Sequence, residues 1–184
     1  MPEVRRIPRW PAVLELFIER YWDGTPCDDA RLHGRVEIGA TDAGLRLVAR
    51  LPHQARPIVP DAAPGTRVER LWETDVVECF LVGAGGHYTE VELGGAGHFL
   101  VLRFDAVRRV SDACQSLAPR LEFSTDTTGW RSSIDLPAHL VPEGLCAVNA
   151  FVAVGASYLA HHPVPGAVAD FHQPVSYPPV RLDA

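Results

Sequence analysis

Besides Glu73 at its start, four carboxylates and one tryptophan lie in a single apolar stretch of this 184-residue chain, LWETDVVECFLVGAGGHYTEVELGGAGHFLVLRF at 71–104. Burying a carboxylate without a partner is costly. Asp75, Glu78, Glu90 and Glu92 must therefore face water from one side of a sheet or line a polar recess on it. The recess has a chemistry of its own. Carboxylates accept hydrogen bonds from hydroxyl groups, and the ring of Trp72 offers a flat apolar face to sugar C–H groups or to another ring.

Spacing assigns partners within this set. Strand side chains alternate, so Tyr88, Glu90 and Glu92 share one face of their run. Such a stripe more commonly faces solvent. Glu78 shares a face with the apolar Val76 and Phe80 and needs a donor there; Arg103, on a neighbouring run, is the natural ion-pair partner. Asp170 and His172 sit in a proline-rich tail that folds back over the sheet. With Glu78 and Glu90 they would form a metal or acid–base site, although a histidine bonded to loop carbonyls is the commoner arrangement. The first reading is a non-catalytic site for a carbohydrate or other small polar ligand. In it Trp72 and Tyr88 stack, while Glu78, Glu90, Glu92, Arg103 and His172 fix polar groups. The alternative is an enzyme acting on a sugar-like molecule through the carboxylates and His172. There is no nucleophile elbow and no phosphate-cradling glycine loop, and the spacing calls for no cofactor and no metal.

The elements that must position these residues are short and β-like. VVECFLV (76–82), HYTEVEL (87–93) and HFLVLRF (98–104) are separated by GAGG and GGAG, which predicts three sequential antiparallel strands. HGRVEIGA (33–40) and GLRLVARL (44–51) alternate and form a hairpin across TDAG, and RLEFSTD (120–126) pairs with WRSSIDL (130–136). VLELFIERY (13–21) fits a helix turn or a strand by periodicity alone. LCAVNAFVAVG (145–155) reads as a central strand with Asn149 its polar exception, and 180–182 as a final edge strand. Pro52, Pro57, Pro60 and Pro64 make the intervening segment a long surface loop, often a functional feature. The nine or ten strands expected describe an antiparallel β-sandwich in one domain.

Composition bounds the partners. The 17 basic residues are all arginine, net charge is −6, and no basic cluster follows the first nine positions, which argues against nucleic acid. No apolar run reaches the ~20 residues of a membrane span, and the N-terminal text lacks a signal-peptide pattern. Cys27, Cys79, Cys114 and Cys146 form no CxxC pair. A reduced, cytoplasmic location is expected; oligomeric state is not legible.

LWETDVVECFL, with Trp72, Asp75 and Glu78 in a W-x-x-D-x-V-E-like order, resembles the DOMON-like superfamily. Within it the segment is most similar to the type-nine branch, related to the carbohydrate-binding modules of family nine. The resemblance implies a β-sandwich in which sugar rings lie against tryptophan and acidic, amide and arginine side chains bind the hydroxyls. Those modules use two tryptophans; here the tail supplies Phe171 and Tyr177 instead. Haem binding, known among other DOMON-like domains, is a third reading; it would lack a Met/His axial pair in the core, since the single methionine is Met1, and would need ligation by histidine alone. A second resemblance covers most of the chain. WDGTP (22–26), LWETDVVECFL (71–81), YTEVEL (88–93), GHFLVLRF (97–104), NAF (149–151), PVPG (163–166) and DFH (170–172) are similar, in the same order, to an uncharacterised family with vertebrate and bacterial members.

Overall fold

The computed structural model describes residues 3–183; Met1, on which the argument about haem ligands rests, lies outside them. In chain order the strands are β1 (Arg5–Ile7), β2 (Leu14–Ile18), β3 (Arg20–Tyr21), β4 (Gly34–Thr41), β5 (Gly44–Pro52), β6 (Val76–Val82) and β7 (Tyr88–Gly94). There follow β8 (Phe99–Ala106), β9 (Arg109–Asp112), β10 (Leu121–Thr125), β11 (Gly129–Pro137), β12 (Ala147–Val154), β13 (Ser157–Ala160) and β14 (Val180–Leu182). Four short 3-10 turns are the only helical pieces among the described residues, and no helix is long and apolar enough to cross a membrane.

Two antiparallel sheets face each other, with orders β10-β11-β5-β4-β2 and β3-β13-β12-β6-β7-β8-β9. One inner face supplies Leu14, Leu16, Val36, Ile38, Leu47 and Ile134 to the core. The other supplies Val77, Cys79, Leu81, Val91, Val101, Val148, Ala150 and Val152. The ribbon of β1 and β14, paired in parallel, spans the two sheets: Arg9 bridges to Ala40 beside β1, and Pro179 bridges to Ala147 beside β14.

The seven-stranded sheet is covered on its outer face as well. Strands β6 and β7 are buried at every position, which explains why VVECFLV and YTEVELG lack a water-facing side. Outward-pointing Val76, Phe80, Tyr88, Leu100, Leu102, Phe104, Phe151 and Ala153 form a second apolar cluster with Leu71, Val164 and Tyr177 from the covering segments. The expected meander β6-β7-β8 is present as sequential neighbours, and both expected hairpins, β4-β5 and β10-β11, form. The ambiguous 13–21 run is extended, as β2 and β3. The strands that exceed the expected nine or ten include β1, β3, β9 and β13, each of two to four residues. The last strand, β14, does form at 180–182, with β1 as its partner.

Asn149, fully buried on β12, anchors the tail that covers this outer face. Its Oδ1 accepts from the backbone N–H of His162 at 3.0 Å and its Nδ2 donates to the His162 carbonyl at 2.9 Å. Further along, the Val164 N–H donates to the Trp22 carbonyl at 2.9 Å, so WDGTP and PVPG meet. Asn149→Ala would leave three backbone groups, the N–H and C=O of His162 and the N–H of Ala150, short of partners and is expected to destabilise the fold by about 2–3 kcal/mol in urea unfolding. A change within error would show that aromatic packing alone holds the tail.

Candidate functional site

The site is set by register on the outer face. Glu78 on β6 lies directly opposite Glu92 on β7, and Phe80 lies opposite Glu90. Phe151 of β12 flanks Glu78 on the other side, and Leu102 and Leu100 of β8 flank Glu90 and Glu92. Three glutamates are thus set into an aromatic and aliphatic surface. Phe80 meets Phe151 edge-on with centroids 5.5 Å apart, and Tyr88 stacks on Phe104 at 4.4 Å.

Two covering segments leave a gap over this surface. Before β6, Arg70 adopts a left-handed conformation (φ 58°) and starts a 3-10 turn, Leu71–Glu73. Leu71 is fully buried, while Trp72 remains 44% exposed. Asp75 fixes the turn: its Oδ2 accepts from the Ile58 N–H at 3.0 Å and its Oδ1 from the Gly155 N–H at 3.3 Å. Gly155 has a positive φ of 55°, which a glycine adopts without strain. On the tail, Phe171 stacks on Phe151 at 4.1 Å and meets Tyr158 of β13 edge-on at 6.0 Å. The remaining cleft, about 410 Å³, is lined by Trp72, Tyr158 and Phe171, by Glu78 and Glu90, and by Arg108, Asp170 and His172. That volume is in the range of small-molecule sites.

The carboxyl groups are electrostatically unusual. Burial, reinforced by the charge of Glu90 and a hydrogen bond to it, holds the Glu78 carboxyl well above the usual range. Glu90 is raised to about 7 by burial, against the opposing pull of the bond from Glu78 and of Arg108. Burial, then Glu78 and Glu90, raise Glu92 well above its ordinary value, and the nearby Trp72 backbone N–H and Arg67 offset only part of this. Neither of these groups comes into hydrogen-bonding geometry, so both Glu92 carboxyl oxygens lack a partner. The interaction between Glu78 and Glu90 raises the first and lowers the second, which makes Glu78 the proton-holding partner. Among the described residues, no arginine or histidine forms an ion pair with any of the three.

The polar rim is tightly specified. Arg108, in the β8–β9 turn with φ 60°, pairs with Asp170 at 2.7 Å. Its backbone N–H donates to the Tyr88 hydroxyl at 3.0 Å. That hydroxyl lies 2.8 Å from His172 Nδ1 and, already accepting from Arg108, donates its proton there. In that tautomer the neutral His172 ring carries its proton on Nε2. Burial, with Arg108 adding to it, lowers the His172 pKa to about 4.

The structure brings Trp72, Glu78, Glu90 and His172 together in this cleft. Three expectations need correction. Arg103 does not pair with Glu78: it is opposite Thr89, on the inner-facing side of the sheet, because the β7–β8 register puts Leu102 rather than Arg103 beside Glu90. Tyr88 is 1% exposed, so its ring supports Phe104 and its hydroxyl positions His172; it offers no open stacking face. Glu92 is fully buried beside Glu78, behind the lining. Asp75 is a structural tie. Sequence reasoning missed Arg108 and Tyr158, which lie in a tight turn and a four-residue strand that carry no motif.

No protein-family profile matches the chain. Over 170 residues it is 31% identical to the human UPF0462 protein C4orf33, covering 86% of this chain and 83% of that one. The chain belongs to the UPF0462 family. The rat homologue is 30% identical over 171 residues, covering 87% and 84%. Among solved structures, a candidate carbohydrate-binding protein from Bacteroides uniformis superposes with a TM-score of 0.72 at 15% identity, covering 98% of this chain and 97% of that one. A family-nine carbohydrate-binding module from Caldicellulosiruptor kristjanssonii, in complex with cellotriose, gives 0.62 at 12% identity, covering 98% and 93%. These likenesses show the sandwich fold.

The raised Glu90 pKa has a signed consequence for this UPF0462 protein. Unfolded, Glu90 ionises near 4.5; folded, it does so at about 7. Its contribution to stability is complete below the unfolded value and is lost as pH rises through about 7. Relative to wild type, Glu90→Gln should therefore gain about 2–3 kcal/mol between pH 5 and pH 8. Denaturant unfolding at both pH values measures this; a pH-independent difference would place Glu90 in an ordinary solvated environment.

Proposed function

We propose that the cleft binds a carbohydrate and returns it unchanged. The observation that carries this reading is the half-exposed Trp72 ring in the same cleft as the glutamate pair. A sugar has an apolar C–H face and a rim of hydroxyls. Trp72, Tyr158 and Phe171 offer surface for the first. Glu90 accepts from hydroxyls, while the His172 Nε2–H and Arg108 are donors. The sugar-binding proteins that share the fold support the reading, as does the acidic net charge, which disfavours nucleic acid. We place this function in the cytoplasm, because the four cysteines are free thiols and three of them are buried.

A second reading, catalysis on a sugar-like molecule, is favoured by the proton shared between Glu78 and Glu90, with Glu90 titrating at about 7 beside His172. A glycan array combined with a glycosidase panel separates the two: the binding reading expects a retained, chemically unchanged sugar, and turnover abolished by Glu90→Gln would replace it with the enzyme reading. Trp72→Ala is expected to weaken sugar binding by roughly 5- to 30-fold, the loss of about 1–2 kcal/mol from one stacked ring, with the melting temperature nearly unchanged. Calorimetry on both proteins checks this. Equal affinity in the variant would remove Trp72 from the site.

A further inference from the structure

We infer that the sugar held by this cleft carries a free amine, whose ammonium group docks between the paired glutamates and the aromatic wall. The inference rests on the carbohydrate reading and names its ligand class.

The first observation is a missing counter-charge. Arginine serves the chain's other carboxylates freely: Arg35 bridges Glu15 and Glu37, and Arg46 bridges Glu122 and Asp135. Among the described residues, none pairs with Glu78, Glu90 or Glu92. Arg108 lines the cleft but offsets Glu90 only in part, its guanidinium being paired with Asp170 at 2.7 Å, and burial keeps His172 neutral. Nothing else lining the cleft offsets the acidic floor.

The second observation is independent of the acidic pair's position. Glu92, fully buried directly opposite Glu78, has no hydrogen-bond partner at either oxygen. Glu92 lies behind the lining, so positive charge brought to the adjacent Glu78–Glu90 pair acts on it through space, by Coulombic attraction. A hydroxyl brings one donor and no charge; an ammonium brings three donors and a full charge. Trp72, Tyr158 and Phe171 supply ring faces that attract a cation further. No three acidic, histidine or cysteine side chains among the described residues are arranged to hold a metal ion, so the set suits an organic cation.

Docking a cation here favours ionised Glu90, so binding near pH 7 should release a proton. The groups facing Glu90 are Glu78 from β6, Tyr88 and Glu92 from its own strand, Arg108 from the β8–β9 turn, and Asp170, His172 and Tyr177 from the tail.

The test is calorimetry at about pH 7 with glucosamine, galactosamine and mannosamine, each against its parent hexose and its N-acetyl derivative, with cyclohexylamine as a non-sugar amine. At least one amino sugar should bind about tenfold or more tightly than both neutral counterparts, and Glu90→Gln should reduce that preference to about threefold or less. Repeating the wild-type titration in buffers of different ionisation enthalpy should reveal proton release, a readout that needs no variant. Neutral sugars binding as tightly as the amines would overturn the inference and leave the carbohydrate reading standing. Binding of cyclohexylamine alone would overturn the carbohydrate reading, and the inference with it, while locating a cation site. No binding by any of them would overturn both.

Discussion

Three glutamates occupy the outer face of a sheet that is otherwise aromatic and aliphatic, and no arginine comes to meet them. Water would solve this by flooding the face, but the tail and the Leu71–Glu73 turn cover it. Burial instead holds all three carboxyls above the ordinary range, and in the Glu78–Glu90 pair it is Glu78 that their interaction raises. Such a face is stable only while its cover is held in place and its open part is narrow. Asn149, Asp75 and the Trp22–Val164 contact hold the cover; Trp72, Tyr158 and Phe171 border the opening. The segments that carried the sequence resemblance, WDGTP, LWETD, YTEVEL, NAF, PVPG and DFH, all contribute to this arrangement.

The meander β6-β7-β8 was legible because glycine turns and short apolar runs of strand length constrain each other. The two flanking hairpins were legible for the same reason. Register was not. A slip of one residue exchanges the faces of a strand, and nothing in HFLVLRF says whether Leu102 or Arg103 stands beside Glu90. The Glu78–Arg103 pair fails on that single parity, and its failure leaves the glutamates without a counter-charge.

Burial on both sides was equally hidden. The Tyr88, Glu90, Glu92 stripe reads as solvent-facing by alternation, and only the tail's path over the sheet reverses that meaning. Trp72 is the complementary case: its exposure depends on the left-handed Arg70 that starts its turn, a conformation no residue pattern announced. Arg108 likewise owes its place to a tight turn with positive φ. The fold class follows from local rules; the site follows from where long-range segments cross.

The proton-sharing glutamates are the central claim, and site-resolved NMR titration of glutamate side-chain carboxyl carbons tests them most directly. One group, Glu90, should titrate at about 7, with Glu78 and Glu92 also well above the ordinary glutamate value. If all three instead titrate near the ordinary glutamate value of about 4.3, the face is hydrated and the account is contradicted.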